Sequence, residues 1–333
     1  MIDPGLRLPA NLAEGDRRLR LLSVHDDHFQ RWLESLPSPL AALAAEPSTY
    51  FGADVEPPSA GDPLRSPAAI ATAWLFWGTF EDVSDETFLA IAGDGACLQL
   101  ASVILDHLAD GQFPDPGPAS LLYKALMDRG HSGFRKLFPA GSAFWSHYED
   151  LGQRHLAGLA AELEGRSDPR YFTYEKLETM ASGKACPVVV TIAALCEASR
   201  RTALFEPIAR SMERVGAASQ LVDDVRDCRQ DTEARHLTHF LSCLGPADTW
   251  SDSAWPSVHE LERRLEPSLV ETDHLRQAVS LYDQAIQEVK GISCPDWVSY
   301  ISRKRLDAER RLMAALASAL ATSLSSEPRS ASG

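Results

Sequence analysis

The chain has 333 residues, 44% of them hydrophobic and 24% charged, and carries a net charge of −15 from 32 Lys and Arg against 47 Asp and Glu. This acidity argues against a nucleic-acid groove and a polybasic membrane anchor, while the composition is that of a globular chain with one large core or two modest ones. Six cysteines (Cys97, Cys186, Cys196, Cys228, Cys243 and Cys294) form no CxxC pair, so they read as reduced thiols of a cytoplasmic protein rather than a disulfide framework or a zinc site.

Helical periodicity dominates and no convincing alternating strand pattern occurs, so the fold class is all-α. Met1 to Asp16 has no basic segment followed by an apolar one, which predicts no signal peptide. A helix is predicted over Leu19 to Leu36, with Leu21, Leu22, Phe29 and Leu33 on it and Pro37 and Pro39 ending it, then a short helix near Leu40 to Ala45. Glu46 to Pro67, rich in Pro, Gly and Asp, reads as a loop. Ser66-Pro67 opens an apolar helix, Ala68 to Phe80, and Thr87 to Ala109 is the next long one, stopped by Gly111 and the run Pro114 to Pro118. Helical segments Ser120 to Arg129, Gly133 to Leu137 and Ala143 to Glu164 are expected, broken at Gly130 and Pro139. Thr173 to Ser199, Ala203 to Arg229, Leu237 to Cys243, Val258 to Leu265, Thr272 to Val289 and Pro295 to Leu324 complete the set. The longest apolar runs fall short of the roughly 20 residues that span a bilayer and read as buried helices. No repeat period is evident. One all-helical domain is expected, with a core of about 67–324 and a flexible leader (1–18) and tail (325–333).

The segment Gly216 to Asp231 carries the chemistry. It places Asp223, Asp227 and Asp231 at i, i+4 and i+8, one row on a helix face, beside Asp224. Like charges at that spacing weaken a helix by a few tenths of a kcal/mol per pair, which a hard divalent cation such as Mg²⁺, a taker of carboxylate and phosphate oxygens, would offset. The small residues Gly216, Ala217, Ala218 and Ser219 just before the row allow close approach. A second acidic pair, Asp106 and Asp110, ends the Thr87 helix, where acids oppose the helix dipole by about 0.3–1 kcal/mol each. His107 between them is a poor ligand for hard Mg²⁺. A solvated acidic helix face is the plain alternative for the Asp223, Asp227 and Asp231 row, and a helix end running into a loop is that for Asp106 and Asp110.

These residues resemble the class I isoprenoid synthase superfamily: trans-prenyl diphosphate synthases, squalene and phytoene synthases, and class I terpene cyclases. Asp223, Asp224 and Asp227 look like the DDxxD of the second aspartate-rich motif, and Asp106-His107-Leu108-Ala109-Asp110 looks like the first. Asp227 and Asp231 are also similar to the paired acids of phytoene and squalene synthases. Ser182-Gly183-Lys184 is similar in position to a segment bearing a diphosphate-binding lysine. The resemblance covers roughly Pro67 to Phe240.

It implies a helical barrel or bundle around an apolar cavity, with Asp106, Asp110, Asp223 and Asp227 catalytic. The same four with Asp224 and Asp231 would hold Mg²⁺, three ions in all. Lys184, Arg226 and Arg235 would meet the substrate diphosphate, although Lys184 could equally face solvent and both arginines could pair with nearby carboxylates. Trp74, Trp77, Phe80, Phe144, Trp145 and Tyr148 would wall the cavity and steer an allylic cation, or else simply pack a core.

Departures from the pattern separate the subfamilies. Around Gly61 to Pro67 only Arg65 could stand for a Gly-Gly-Lys-Arg motif, and Gly111 to Pro116 lacks the arginine pair of chain-elongating enzymes. The expected function is therefore a Mg²⁺-dependent terpene synthase acting on one preformed prenyl diphosphate, farnesyl, geranylgeranyl or longer. The alternatives are a prenyl diphosphate synthase using isopentenyl diphosphate and a non-catalytic helical interaction protein. No nucleic acid or integral membrane segment is expected as partner, and a homodimer is compatible with the resemblance.

Overall fold

The computed structural model describes residues 17–46, 49, 72–167, 172–251, 254–265 and 269–326. The expected leader up to residue 16, most of the expected loop through Pro67, and the tail from residue 327 lie outside them. Among the described residues every regular element is helical, as the periodicity requires. The chain divides into two compact units, one of Met1–Gly152, Cys186–Ala209 and Gly291–Trp297, the other of Gln153–Ala185, Arg210–Lys290 and Val298–Gly333.

The first unit begins with α1 (Arg17–Glu34) and α2 (Ser38–Ala45). Leu22, Phe29 and Leu33 of α1 are buried at helical spacing. Helix α3 (Asp85–Ala109) starts at Ser84, whose Oγ accepts the Thr87 N–H at 3.2 Å. It ends at Gly111, which takes a left-handed φ of +67°. Helix α4 (Pro116–Leu137) packs on α3. The predicted break at Gly130 does not occur. A Cβ on Gly130 would lie 2.9 Å from the Asp94 carbonyl oxygen, and one on Gly133 would lie 2.0 Å from the Asp94 carboxylate. These glycines let two helices touch, and the α4 hydrogen-bond ladder continues through them. The proline run placed as a stop is in part a start: Asp115 accepts the Gly117 N–H at 3.0 Å, and Pro116 takes the first turn, where no N–H is needed.

The expected α-helix Ala68 to Phe80 is a 3₁₀ segment over Thr72–Thr79, with residues 68–71 outside the described set. Its carbonyls are drawn to side chains. Arg18 donates to the Trp74 oxygen, and Arg201 to the Thr79 oxygen at the segment's end. Arg18, only 5% exposed, is anchored further by Asp296 at 2.5 Å.

Helices α5 (Phe144–Ser167), α6 (Tyr174–Ala198) and α7 (Phe205–Arg226) follow. The second unit takes the later part of α5 and the first part of α6, which meet backbone to backbone: a Cβ on Gly158 would lie 2.8 Å from Gly183 Cα. It continues with α7 from Arg210, α8 (Cys228–Ala234), α9 (His239–Ser242), α10 (Val258–Leu265), α11 (Val270–Glu288) and, from Val298, α12 (Pro295–Ser326). Ser211 Oγ donates to the Ala285 carbonyl at 2.8 Å, and Arg210 and Arg214 both grip Glu288, which ties α7 to α11. The single helix predicted over Ala203 to Arg229 is divided at Asp227, whose backbone (φ −95°, ψ 4°) leaves the helical region before α8 begins.

Helices α3 and α6 are long and apolar enough to cross a membrane by length and composition. Their apolar windows are 67% and 72% buried inside the fold, as core helices are.

Candidate functional site

The first acidic pair closes α3. Asp110 is the C-cap residue, and its N–H donates to the Asp106 carbonyl at 3.0 Å, so the two carboxylates leave the same last turn. Both side chains are half-buried. Burial lowers the pKa of His107, and the charges of Asp106 and Asp110 pull it back up.

The second acidic set lies where α7 gives way to α8. The Asp227 N–H donates to Asp223 O and the Asp231 N–H to Asp227 O, both at 2.8 Å, so the i, i+4, i+8 register survives the division of the helix. Asp223 sits 2.8 Å from Arg226 Nη1, while Arg226 Nε and Nη2 take the two oxygens of Asp227 at 2.8 and 2.7 Å. Burial pushes the Asp223 pKa up and Arg226 draws it down. Asp224 is 2% exposed. Its Oδ1 accepts the Gln220 amide at 2.6 Å, and its Oδ2 is buried with no hydrogen-bond partner among the described residues. Burial raises Asp224 to about 7, with the Gln220 amide, the Phe240 backbone N–H and the Lys184 charge acting the other way. Carboxylate oxygens are the donors a hard cation takes, and Asp224 Oδ2 is a desolvated one; but Asp223 and Asp227 face Arg226 while Asp224 faces Gln220, and among the described residues the ligand atoms of these three acids do not lie together within 4.8 Å.

The remaining predicted residues are placed as follows. Asp231 lies 3.9 Å from the His236 ring. Lys184 Nζ is 2.9 Å from Glu162, which also holds Arg166 at 2.7 Å. Arg226 is the counter-ion of Asp223 and Asp227, and Arg235 is an exposed residue in a left-handed turn at φ 55°.

The six aromatic residues belong to the first unit. Trp74 stacks on Trp77 at 5.9 Å, and both contact Phe88. Phe80 lies beneath the Arg201 guanidinium. Phe144, Trp145 and Tyr148 contact one another, and Phe144 also stacks on Phe138 at 4.5 Å. Trp74, Phe80 and Phe144 are 0% exposed.

Sequence reading passed over a cavity of about 780 Å³ against α1, α3 and α4, lined by His25, Phe29, Trp32, Asp94, Arg129 and Lys136 among others. Burial lowers His25 to about 4 and raises Asp94 to about 7. The available signal was a histidine and an aspartate on otherwise apolar helix faces.

No protein-family model matches the chain, and no curated protein matches it. Solved structures do. A geranyltranstransferase from Thermotoga maritima is 14% identical with a TM-score of 0.59, over 89% of this chain and 100% of that one. A geranylgeranyl pyrophosphate synthetase from Pyrococcus horikoshii is 14% identical with a TM-score of 0.60, over 89% and 99%. A geranylgeranyl pyrophosphate synthase from Corynebacterium glutamicum is 15% identical with a TM-score of 0.63, over 91% and 96%. The chain thus has the all-α fold of the trans-prenyl diphosphate synthases, which bears out the fold class expected from sequence.

Proposed function

We infer that this chain is a Mg²⁺-dependent enzyme that ionises a prenyl diphosphate, with chain elongation by isopentenyl diphosphate as its leading reaction. The observation that carries this reading is the fold, which matches elongating synthases over about nine-tenths of the chain, and it is supported by the acids Asp223, Asp224 and Asp227 at the α7–α8 junction, with the buried Asp224 Oδ2 among them. Asp223, Asp224, Asp227 and Asp231 are the candidate Mg²⁺ ligands of the second unit, and Asp106 and Asp110 those of the first. Bound there, Mg²⁺ supplies Lewis-acid stabilisation of charge on the departing diphosphate.

The chain's own residues do the rest. Arg226, Lys184 and Arg235 exchange their present surroundings for the diphosphate oxygens, Arg226 giving up Asp227 and Lys184 giving up Glu162. Their donated hydrogen bonds orient the leaving group and hold its charge. Faces of Trp74, Trp77, Phe80, Phe144, Trp145 and Tyr148 would stabilise an allylic cation through their ring quadrupoles and exclude water from it.

A second reading, a terpene synthase that closes or quenches the cation without a co-substrate, is favoured by one observation. Gly111 to Pro116 contains no arginine pair to hold a second, nonallylic diphosphate. Product analysis separates the two. The chain is incubated with geranyl, farnesyl or geranylgeranyl diphosphate and Mg²⁺, with and without isopentenyl diphosphate. A longer diphosphate formed only with the co-substrate establishes elongation, and a hydrocarbon or alcohol formed without it establishes the terpene synthase. No turnover of any of these diphosphates rejects both.

A further inference from the structure

A second constellation lies in the same unit as Asp223 and has no part in the reading above. His239 opens α9, Cys243 caps its end, and His274 stands in the first turns of α11. One ligand atom from each of the three residues lies within 4.8 Å of the other two. His239 Nδ1 is 3.0 Å from His274 Nε2, and Cys243 Sγ is 3.9 Å from His239 Nε2. His274 Nδ1 is 2.9 Å from the Val270 carbonyl, so it is the nitrogen that bears the proton there. That bond leaves the His274 Nε2 lone pair facing His239, the orientation in which second-shell carbonyls set metal-ligating imidazoles. Phe172 and Tyr174 flank the His239 ring, and Phe240 meets the His274 ring edge-on at 5.1 Å. Both imidazoles are buried, at 8% and 7% exposure, which keeps them neutral and their lone pairs available. Cys243 alone among the six cysteines is exposed, and it gives an ion a route in from solvent.

The geometry points to a binding site for a Zn²⁺-class divalent cation, held by His239, His274 and the Cys243 thiolate. Two imidazole nitrogens and a sulfur select a borderline cation over the hard Mg²⁺ of the carboxylate motifs. Ligand bonds of about 2.0–2.1 Å to nitrogen and 2.3 Å to sulfur place tetrahedral donors a little over 3 Å apart, so closure draws in donors that now lie within 4.8 Å of one another. His239 presents Nδ1 to His274 and Nε2 to Cys243, so its ring turns to give one nitrogen to the cation between those two residues, adopting the tautomer that nitrogen requires, and Cys243 releases its thiol proton to solvent. Three protein ligands leave a fourth position for water or another small donor. Loaded, the site fastens α9 to α11 and fixes the Phe240 backbone beside Asp224.

The test is spectroscopic and independent of turnover. The full chain, stripped with chelator and then saturated with Mg²⁺ to occupy carboxylate sites, is titrated with Co²⁺. The expected result is one equivalent of Co²⁺ giving a thiolate-to-cobalt charge-transfer band, bleached by one equivalent of Zn²⁺, retained in Asp227→Asn and lost in Cys243→Ser. Alkylating Cys243 before the titration removes the same ligand without a substitution, and bound Zn²⁺ should slow that alkylation by at least about tenfold. Absence of the band, its survival in both the Cys243→Ser variant and the alkylated chain, or its loss in Asp227→Asn would each overturn the assignment.

Discussion

Arg226 holds both carboxylate oxygens of Asp227, through Nε at 2.8 Å and Nη2 at 2.7 Å, and reaches Asp223 as well. In the metal-free protein this guanidinium is the positive charge that lets the acids crowd together. Its side chain is 43% exposed, so the pairs themselves contribute at most about 1 kcal/mol. Arg226→Gln should therefore melt only slightly lower without metal, yet gain more from Mg²⁺ than the parent chain, because the ion no longer competes with an internal cation. Thermal melts with and without Mg²⁺ measure this, and an equal or smaller Mg²⁺ gain in the variant contradicts it.

Asp224 gives a prediction of opposite sign. Burial raises its pKa from 3.8 to about 7, so its contribution to folding is present in full at pH below about 4 and is lost as pH rises through about 7. Above that pH the metal-free Asp224→Asn variant should be at least as stable as the parent, while its stabilisation by Mg²⁺ with pyrophosphate should largely vanish. Denaturant midpoints at about pH 8, with and without those ligands, read both effects. An undiminished ligand response removes Asp224 from the metal set.

Two groups of the first unit oppose each other in pH dependence. Asp94, raised from 3.8 to about 7 by burial against the pull of Arg129 and Lys136, loses its contribution as pH climbs through that range. His25, lowered from 6.5 to about 4 by burial with His28 and Arg129 adding to it, has its contribution in full above 6.5 and loses it as pH falls through about 4. The parent chain should accordingly show a shallow profile across this window. Asp94→Asn should turn it into stability that rises from about pH 4 to about pH 6.5, measured by urea unfolding. A profile unchanged by the substitution contradicts the assignment of burial as the cause.

The α5–α6 contact carries a packing prediction. A Cβ on Gly183 would lie 2.6 Å from Gly158 Cα and 2.7 Å from the Arg154 carbonyl, both backbone atoms that cannot swing aside. Gly183→Ala should destabilise by about 1–3 kcal/mol, and Gly158→Ala by a similar amount. Adding the second substitution should cost less than the sum, because the first already separates the helices. Urea titrations of the two single variants and the double variant decide it, and additive costs would contradict it.

Helix identity was legible because it rests on local periodicity and on prolines with no N–H to donate. Val258–Leu265 and the start of α12 at Pro295 fall where the pattern places them. Gly130 was misread because a glycine that breaks a helix and a glycine that admits a neighbouring helix look alike until the Asp94 backbone is known to press on it. The 3₁₀ segment was hidden because its apolar composition reads as an α-helix, and the arginines at 18 and 201 that bond its carbonyls are remote in sequence. The placing of Asp106 with Asp110, and of Asp223, Asp227 and Asp231, on successive helical turns was readable from spacing. The tie of Arg226 to Asp227 was one of two open alternatives, since an arginine among aspartates can serve either them or an anion. His239 and Cys243 stand four apart and could have prompted a metal reading, but their partner His274 lies 35 residues further on.

Pyrophosphate release tests the central claim most directly. With farnesyl or geranylgeranyl diphosphate together with isopentenyl diphosphate, the parent chain should release pyrophosphate in Mg²⁺ and none in chelator. Asp106→Asn and Asp227→Asn, each shown to be folded, should lose at least about 100-fold in rate. Release that persists in chelator, or at the parent rate in either variant, would contradict the account.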